Sequence, residues 1–202
     1  MERRRTQTER AAASRRRLIE AAIELLATRG YAKTSLAAIG EKAGVSRGLV
    51  THHFGSKQQC IAGVVVHIRQ LIEAELHEDE HQGLAAIENL LRTYLQESSR
   101  HSYTARAMYV VIVEAMTAEP DLLRAVADNN AAIRTMIATW IVQAVDLGEI
   151  PPHVDAEALA TVVEGILRGV LIQILVDPEK VDREAAITTS ISMIRTALVA
   201  TV

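Results

Sequence analysis

The 202-residue chain has a single cysteine, six aromatic residues and four prolines. One cysteine, Cys60, cannot close an internal disulfide, so the fold is held without a covalent staple. Few aromatics among many Ala, Leu, Ile, Arg and Glu residues argue against an all-β architecture, because these residues lose least on entering a helix. Hydrophobic residues make up 49% and charged residues 23%, the balance of a globular protein, which excludes disorder over most of the length. No apolar leader with a small-residue cleavage pattern follows the N-terminus, and the expectation is a reducing, cytoplasmic setting. The longest apolar stretch, Leu159 to Val176, carries Glu164 and Arg168 in its middle. Each is costly in hydrocarbon, so no membrane partner is expected.

The net charge of -3 conceals an uneven distribution. Residues 1–57 hold twelve Lys and Arg against five acids, a local balance of +7, which leaves -10 for the remainder. A basic front on an acidic body points to one part that meets a polyanion and another that does not. Residues 1–11, with Arg3, Arg4 and Arg5, read as a basic, disordered arm, but basic residues also continue through the helical segments behind it.

About nine helices follow from apolar spacing and punctuation. The first, over residues 15–28, carries Leu18, Ala22, Ile23, Leu25 and Leu26 and is stopped by Gly30. Thr34 and Ser35 offer N-caps for a short helix over 36–43, Ser46 for another over 47–54, and Gly44 and Gly55 end them. Ser56 and Gln59 form a capping box that opens a long helix from Lys57. Further helices are expected over 84–100, 103–118, 121–147, 156–176 and 183–200, the last four separated by proline-containing breaks.

Two short helices joined by Ala43-Gly44-Val45 have the proportions of a helix-turn-helix. Gly44 supplies the left-handed backbone of the turn, Ile39, Ala43, Val45 and Val50 lock the helices together, and Arg47, Thr51 and His52 face outward, as a major-groove reader requires. The runs Arg17-Leu18-Ile19-Glu20-Ala21-Ala22, Arg29-Gly30-Tyr31-Ala32-Lys33-Thr34-Ser35, Ala43-Gly44-Val45-Ser46-Arg47-Gly48 and His52-His53-Phe54-Gly55-Ser56-Lys57 closely resemble the N-terminal domain of TetR-family transcriptional regulators. The resemblance implies an all-α protein with a DNA-binding domain over 12–72, its helix-turn-helix at 35–54, and a ligand-binding and dimerisation domain over 73–202. It further implies DNA contacts from Ser35, Ser46, Arg47, Gly48, Thr51, His52, His53 and Lys57, with Lys57 holding a phosphate and Phe54 buried. Thr51 stands where the family often has tyrosine, as serine does in the choline-responsive branch. The implied partners are a palindromic double-stranded operator, a small-molecule effector and a second copy of the chain. The implied activity is repression relieved by the effector, with activation by the same fold as the alternative.

For the dimer, helix 156–176 offers Gly165 and Gly169 four residues apart, and the last helix offers Ile187, Ile191, Ile194 and Leu198 at heptad-like spacing. For the ligand, Tyr94, Tyr103, Met108, Tyr109, Met136 and Trp140 are the candidates; the apolar faces around them point to a hydrophobic or amphipathic molecule. His77-Glu78-Asp79-Glu80-His81 satisfies the H-E-x-x-H pattern of zinc hydrolases. It lies in a densely acidic stretch without a third ligand at a recognised spacing, so no metal, cofactor or catalytic residue is expected. Cys60 lies in the first turn of the long helix, where exposed amides favour a thiolate; burial as a small hydrophobe is the preferred reading.

Overall fold

A computed structural model describes residues 7–77, 81–97 and 102–199. These form nine α-helices and, among the described residues, no strand: α1 (Gln7–Lys33), α2 (Leu36–Lys42), α3 (Arg47–Phe54), α4 (Lys57–His77), α5 (Gly83–Glu97), α6 (Ser102–Thr117), α7 (Pro120–Asp146), α8 (Ala156–Val176) and α9 (Arg183–Val199). The expected helical periods recur over the described residues, and Gly30, at φ +76°, interrupts α1 with non-helical backbone where a stop was expected; residues 98–100 and 200 lie outside the described residues. One expectation is corrected: α1 begins at Gln7, so residues 7–11 are helical rather than part of a disordered arm. The segment leads into Ala11, Ala12 and Ala13, strong helix formers, and holds no glycine or proline to interrupt the backbone ladder. Arg3, Arg4 and Arg5 lie outside the described residues.

The expected caps close the helices. Ser35 Oγ accepts from Ala38 N at 3.1 Å, and Ser46 Oγ accepts from Leu49 N at 3.3 Å. The capping box of α4 is reciprocal: Gln59 N donates to Ser56 Oγ at 3.1 Å, and Ser56 N donates to Gln59 Oε1 at 3.0 Å. Two caps that the sequence reading did not name are Asp155 and Asp182, whose Oδ1 atoms accept from Ala158 N and Ala185 N, each at 3.0 Å, at the starts of α8 and α9. Thr34, the other candidate, is instead buried, and its hydroxyl donates to the Gly30 carbonyl at 2.8 Å.

The chain divides into two compact units. One comprises the residues up to Arg69 with Tyr103–Ala127; the other comprises Gln70–Ser102 with Asp128 onward. The divisions fall inside α4, three residues before the single boundary that the sequence suggests, at the start of α6 and inside α7. A continuous helix carries no proline or glycine where its buried stripe changes neighbours, so such a division lacks the punctuation that marks a loop.

In the first unit, Leu18, Ile19, Ala22 and Leu26 of α1, Ile39 of α2, Val50 and Phe54 of α3, and Cys60, Ile61 and Val64 of α4 are buried. In the second, α5 packs on α8 and α9. Its core includes Ile87, Leu90, Leu91 and Leu95 of α5, and Val163, Leu167 and Leu171 of α8. Ile187, Ile191 and Ile194 of α9 are buried in this core as well. That corrects their assignment to a dimer surface: the α9 isoleucine stripe serves its own subunit, and the opposite face, with Thr189, Ser192, Met193 and Thr196, is exposed. The side chain of Leu198 lies outside the described residues.

Glu164, buried in α8, is bracketed by two guanidinium groups. Arg168 Nε donates to Glu164 Oε1 at 3.0 Å, and Arg134 Nη1 of α7 donates to Glu164 Oε2 at 3.1 Å. Arg168 also donates to Asn130 Oδ1 at 2.6 Å. The charges that argue against a membrane span thus form a paired cluster between α7 and α8.

Candidate nucleic-acid interface

The helix-turn-helix is built from close backbone approach. Gly44 has φ +70°, as the turn requires, and Val45 N donates to the Gly40 carbonyl at 2.8 Å. Gly40 is the residue that sequence reasoning passed over. A Cβ there would lie 2.9 Å from the Val45 carbonyl oxygen, 3.2 Å from Val50 Cγ2 and 3.3 Å from Arg47 N, so only glycine lets α3 seat this closely on α2. Its signal was available, since a glycine inside a helix costs about 1 kcal/mol relative to alanine and calls for a packing reason.

With Ile39 and Val50 fully buried between the two helices, the other side of α3 faces out. Ser46, Arg47, Gly48, Thr51 and His52 are exposed, and His53 is half-buried. Among the described residues Arg47 forms no ion pair, so its guanidinium has free donors. Thr51 donates its hydroxyl hydrogen to the Arg47 carbonyl at 3.2 Å and keeps its oxygen as an acceptor. The His52 and His53 rings meet edge to face at 5.9 Å. Ser35 and Ser46 are engaged as caps, as described above; both remain exposed. Behind the recognition helix, Arg15 of α1 lies over the Phe54 ring, 5.0 Å from its centroid, which places both in the support and not in the reading face.

Lys57, the expected phosphate ligand, has partners within its own subunit. Its Nζ donates to the Tyr31 carbonyl at 2.7 Å and sits 3.6 Å from the centroid of the Tyr31 ring. Burial lowers its pKa, and the carboxylates of Glu119 and Glu114 oppose that shift. Tyr31 has a buried hydroxyl without a well-formed hydrogen bond, and burial followed by the Glu119 carboxylate raises its pKa.

Cys60 is fully buried, and burial pushes its thiol up to about 12, with Arg15 opposing. That selects the small-hydrophobe reading over a thiolate sensor. Of the H-E-x-x-H motif, the His77 side chain and residues 78–80 lie outside the described residues; His81 is exposed.

The ligand candidates fall in both units. Tyr94, Met136 and Trp140, all half-buried, belong to the second; exposed Tyr103, buried Met108 and half-buried Tyr109 belong to the first. The Tyr94 phenol has its pKa raised by burial, with Arg168 opposing and Glu164 adding.

A capped helix-turn-helix that leaves Arg47 exposed has clear counterparts. The model for bacterial regulatory proteins of the tetR family matches residues 18–64, and that for the C-terminal domain of BetI-type transcriptional repressors matches 83–199. The chain belongs to the TetR family of transcriptional regulators. Its resemblance to that family extends beyond the DNA-binding helices to the helical C-terminal part, and it is a regulator, not an enzyme. This TetR-family chain is 28% identical over 198 residues to the transcriptional regulator TtgR of Pseudomonas putida, an alignment covering 93% of this chain and 94% of TtgR. A regulator of the same family from a Rhodococcus species superposes with a TM-score of 0.83 at 23% identity, covering 92% of this chain and 99% of the other. SmeT, the repressor of a Stenotrophomonas maltophilia multidrug efflux pump, superposes in its complex with triclosan with a TM-score of 0.75 at 23% identity, covering 92% and 91%.

Proposed function

We propose that the chain is a homodimeric cytoplasmic repressor that binds a palindromic operator and is released from it by a small hydrophobic or amphipathic molecule. The observation that carries the DNA-binding part is the outward face of α3, where Arg47, Thr51 and His52 stand exposed on a helix locked against α2 through Gly40 and Gly44. Arg47 and His52 are read as base-edge contacts; Thr51, His53, Ser35, Ser46, Gly48 and Lys57 are read as backbone contacts that fix register.

The dimer reading rests on α8. Val162, Gly165, Gly169, Ile172 and Val176 recur at alternating steps of three and four residues, and all five are exposed. No heavy atom beyond the local helix backbone comes within 4 Å of a Cβ built at Gly165 or Gly169. A second copy of α8 and α9 would cover this apolar stripe and exposed Met193. Two recognition helices about 34 Å apart would then reach successive major grooves.

The effector reading is supported by the second unit, which combines half-buried Tyr94, Met136 and Trp140 with the charged cluster of Arg134, Glu164 and Arg168. Apolar area beside polar groups suits an amphipathic molecule. The likeness of residues 83–199 to the C-terminal domain of BetI-type transcriptional repressors supports the repressor reading, and the triclosan complex of the SmeT repressor supports a small-molecule effector.

Two substitutions test the division of labour on α3 and α4. Lys57→Ala is expected to weaken binding to all duplexes similarly and to reduce the salt slope by about one, whereas Arg47→Ala also flattens the preference among sequences, by about 1–3 kcal/mol at the affected base pair. Titrations against an operator duplex selected from a random DNA pool and point variants of it, at several salt concentrations, read both effects. Equal losses on every sequence for both variants would remove Arg47 from the reading face.

A further inference from the structure

The Lys57 ammonium has two calls on its charge. On the protein side it donates to the Tyr31 carbonyl and lies on the Tyr31 ring, within the field of Glu119 and Glu114. Glu119 occupies the corner between α6 and α7, and three contacts fix it there. Its backbone N donates to the Glu114 carbonyl at 3.1 Å, its carbonyl accepts from Leu122 N at 3.0 Å in the first turn of α7, and its carboxylate accepts from Gln58 Nε2 at 3.3 Å. Gln58 is the neighbour of Lys57 in the first turn of α4. The corner therefore holds a carboxylate against the same helical turn that carries the ammonium, and the Tyr31 hydroxyl lies buried in that carboxylate's field.

We propose that Glu119 is a positioning residue for DNA binding: its carboxylate competes with a DNA phosphate for Lys57, so the placement of the α6–α7 corner sets how readily Lys57 reaches the backbone. This rests on the reading above that Lys57 contacts phosphate. The competition is electrostatic. A carboxylate near the ammonium favours the inward arrangement on Tyr31, and withdrawing or neutralising it frees the charge for the polyanion. Because α7 begins at this corner, a shift of its first turn carries the carboxylate with it.

The test is a double-substitution cycle of Glu119→Gln and Lys57→Ala on the full chain, titrated with a short mixed-sequence duplex over a range of salt. Glutamine keeps a carbonyl oxygen for Gln58, and the backbone contacts of residue 119 do not depend on its side chain. Glu119→Gln is expected to bind about threefold to tenfold tighter at low salt. Its slope of log affinity against log salt is expected to steepen by up to about one. Both changes should disappear when Lys57 is alanine. A gain that persists without Lys57 would show only the removal of a negative charge and would overturn the proposal. So would parental binding by Glu119→Gln in a background where Lys57→Ala weakens binding. If Lys57→Ala alone leaves affinity and slope unchanged, the phosphate contact itself fails, and the proposal with it.

Discussion

Glu164→Ala is expected to lower the stability of the chain by about 3 kcal/mol, the lower end of the range for removing one member of a buried ion pair. The side chain of Glu164 is 8% exposed, and its carboxylate is the shared acceptor of Arg168, 19% exposed, and Arg134, 33% exposed. Removing it leaves two guanidinium groups facing each other at the α7–α8 contact. Arg134 is exposed enough to recover some water, and Arg168 keeps Asn130, which is why the lower end applies. For a chain of this length the loss corresponds to a fall in Tm of about 6–12 °C. The contrasting variant is Glu88→Ala, which removes the partner of Arg195 across α5 and α9; that guanidinium is 60% exposed and stays hydrated without its partner, so the expected loss is much smaller. Thermal unfolding of both variants at one protein concentration distinguishes a buried cluster from a solvated one. Equal, small losses would contradict the buried reading.

The second large effect is expected from replacing Gly165 and Gly169 together by leucine. Both positions are open within the subunit, and glycine to leucine inside a helix removes a backbone-entropy cost of up to about 1 kcal/mol per site. The subunit should therefore fold at least as well as the parent. Assembly should fail, because bulky side chains at two successive turns hold a facing helix away. A monomer loses the second half-site, whose contribution through effective concentration is on the order of a hundredfold or more in affinity. Sedimentation velocity is expected to show monomers with an unchanged helical circular dichroism spectrum, and band shifts on an operator duplex are expected to weaken accordingly. An unchanged dimer would place the interface on another face.

Helix positions were legible because their ends are written in local chemistry. Ser35, Ser46 and Ser56 with Gln59 cap, while Gly30, Gly44 and Gly55 adopt positive φ where the chain turns. These interactions span four residues or fewer, the range that a linear reading resolves. What was not legible depends on distant partners. The α9 isoleucine stripe has the spacing of an interface, but spacing does not say whether an apolar stripe meets its own subunit or another; Ile187, Ile191 and Ile194 meet α9's own core. Lys57 is separated from Tyr31 by 26 residues, and a carbonyl as the acceptor leaves no trace in side-chain identity. Gly40 sits in an ordinary helical pattern, and only the approach of Val45 and Val50 shows its use. The aromatic and methionine candidates for the ligand were gathered by residue type, and they divide between the two units because type alone carries no spatial information.

The central claim, a dimer that reads sequence through α3, is tested most directly by selecting bound duplexes from a random DNA pool with the purified full chain at moderate salt. The account predicts enrichment of a palindrome whose half-sites lie about one helical turn apart, retained as salt rises. Uniform binding of all sequences that disappears with added salt would leave only the electrostatic attraction of a basic domain and would contradict it.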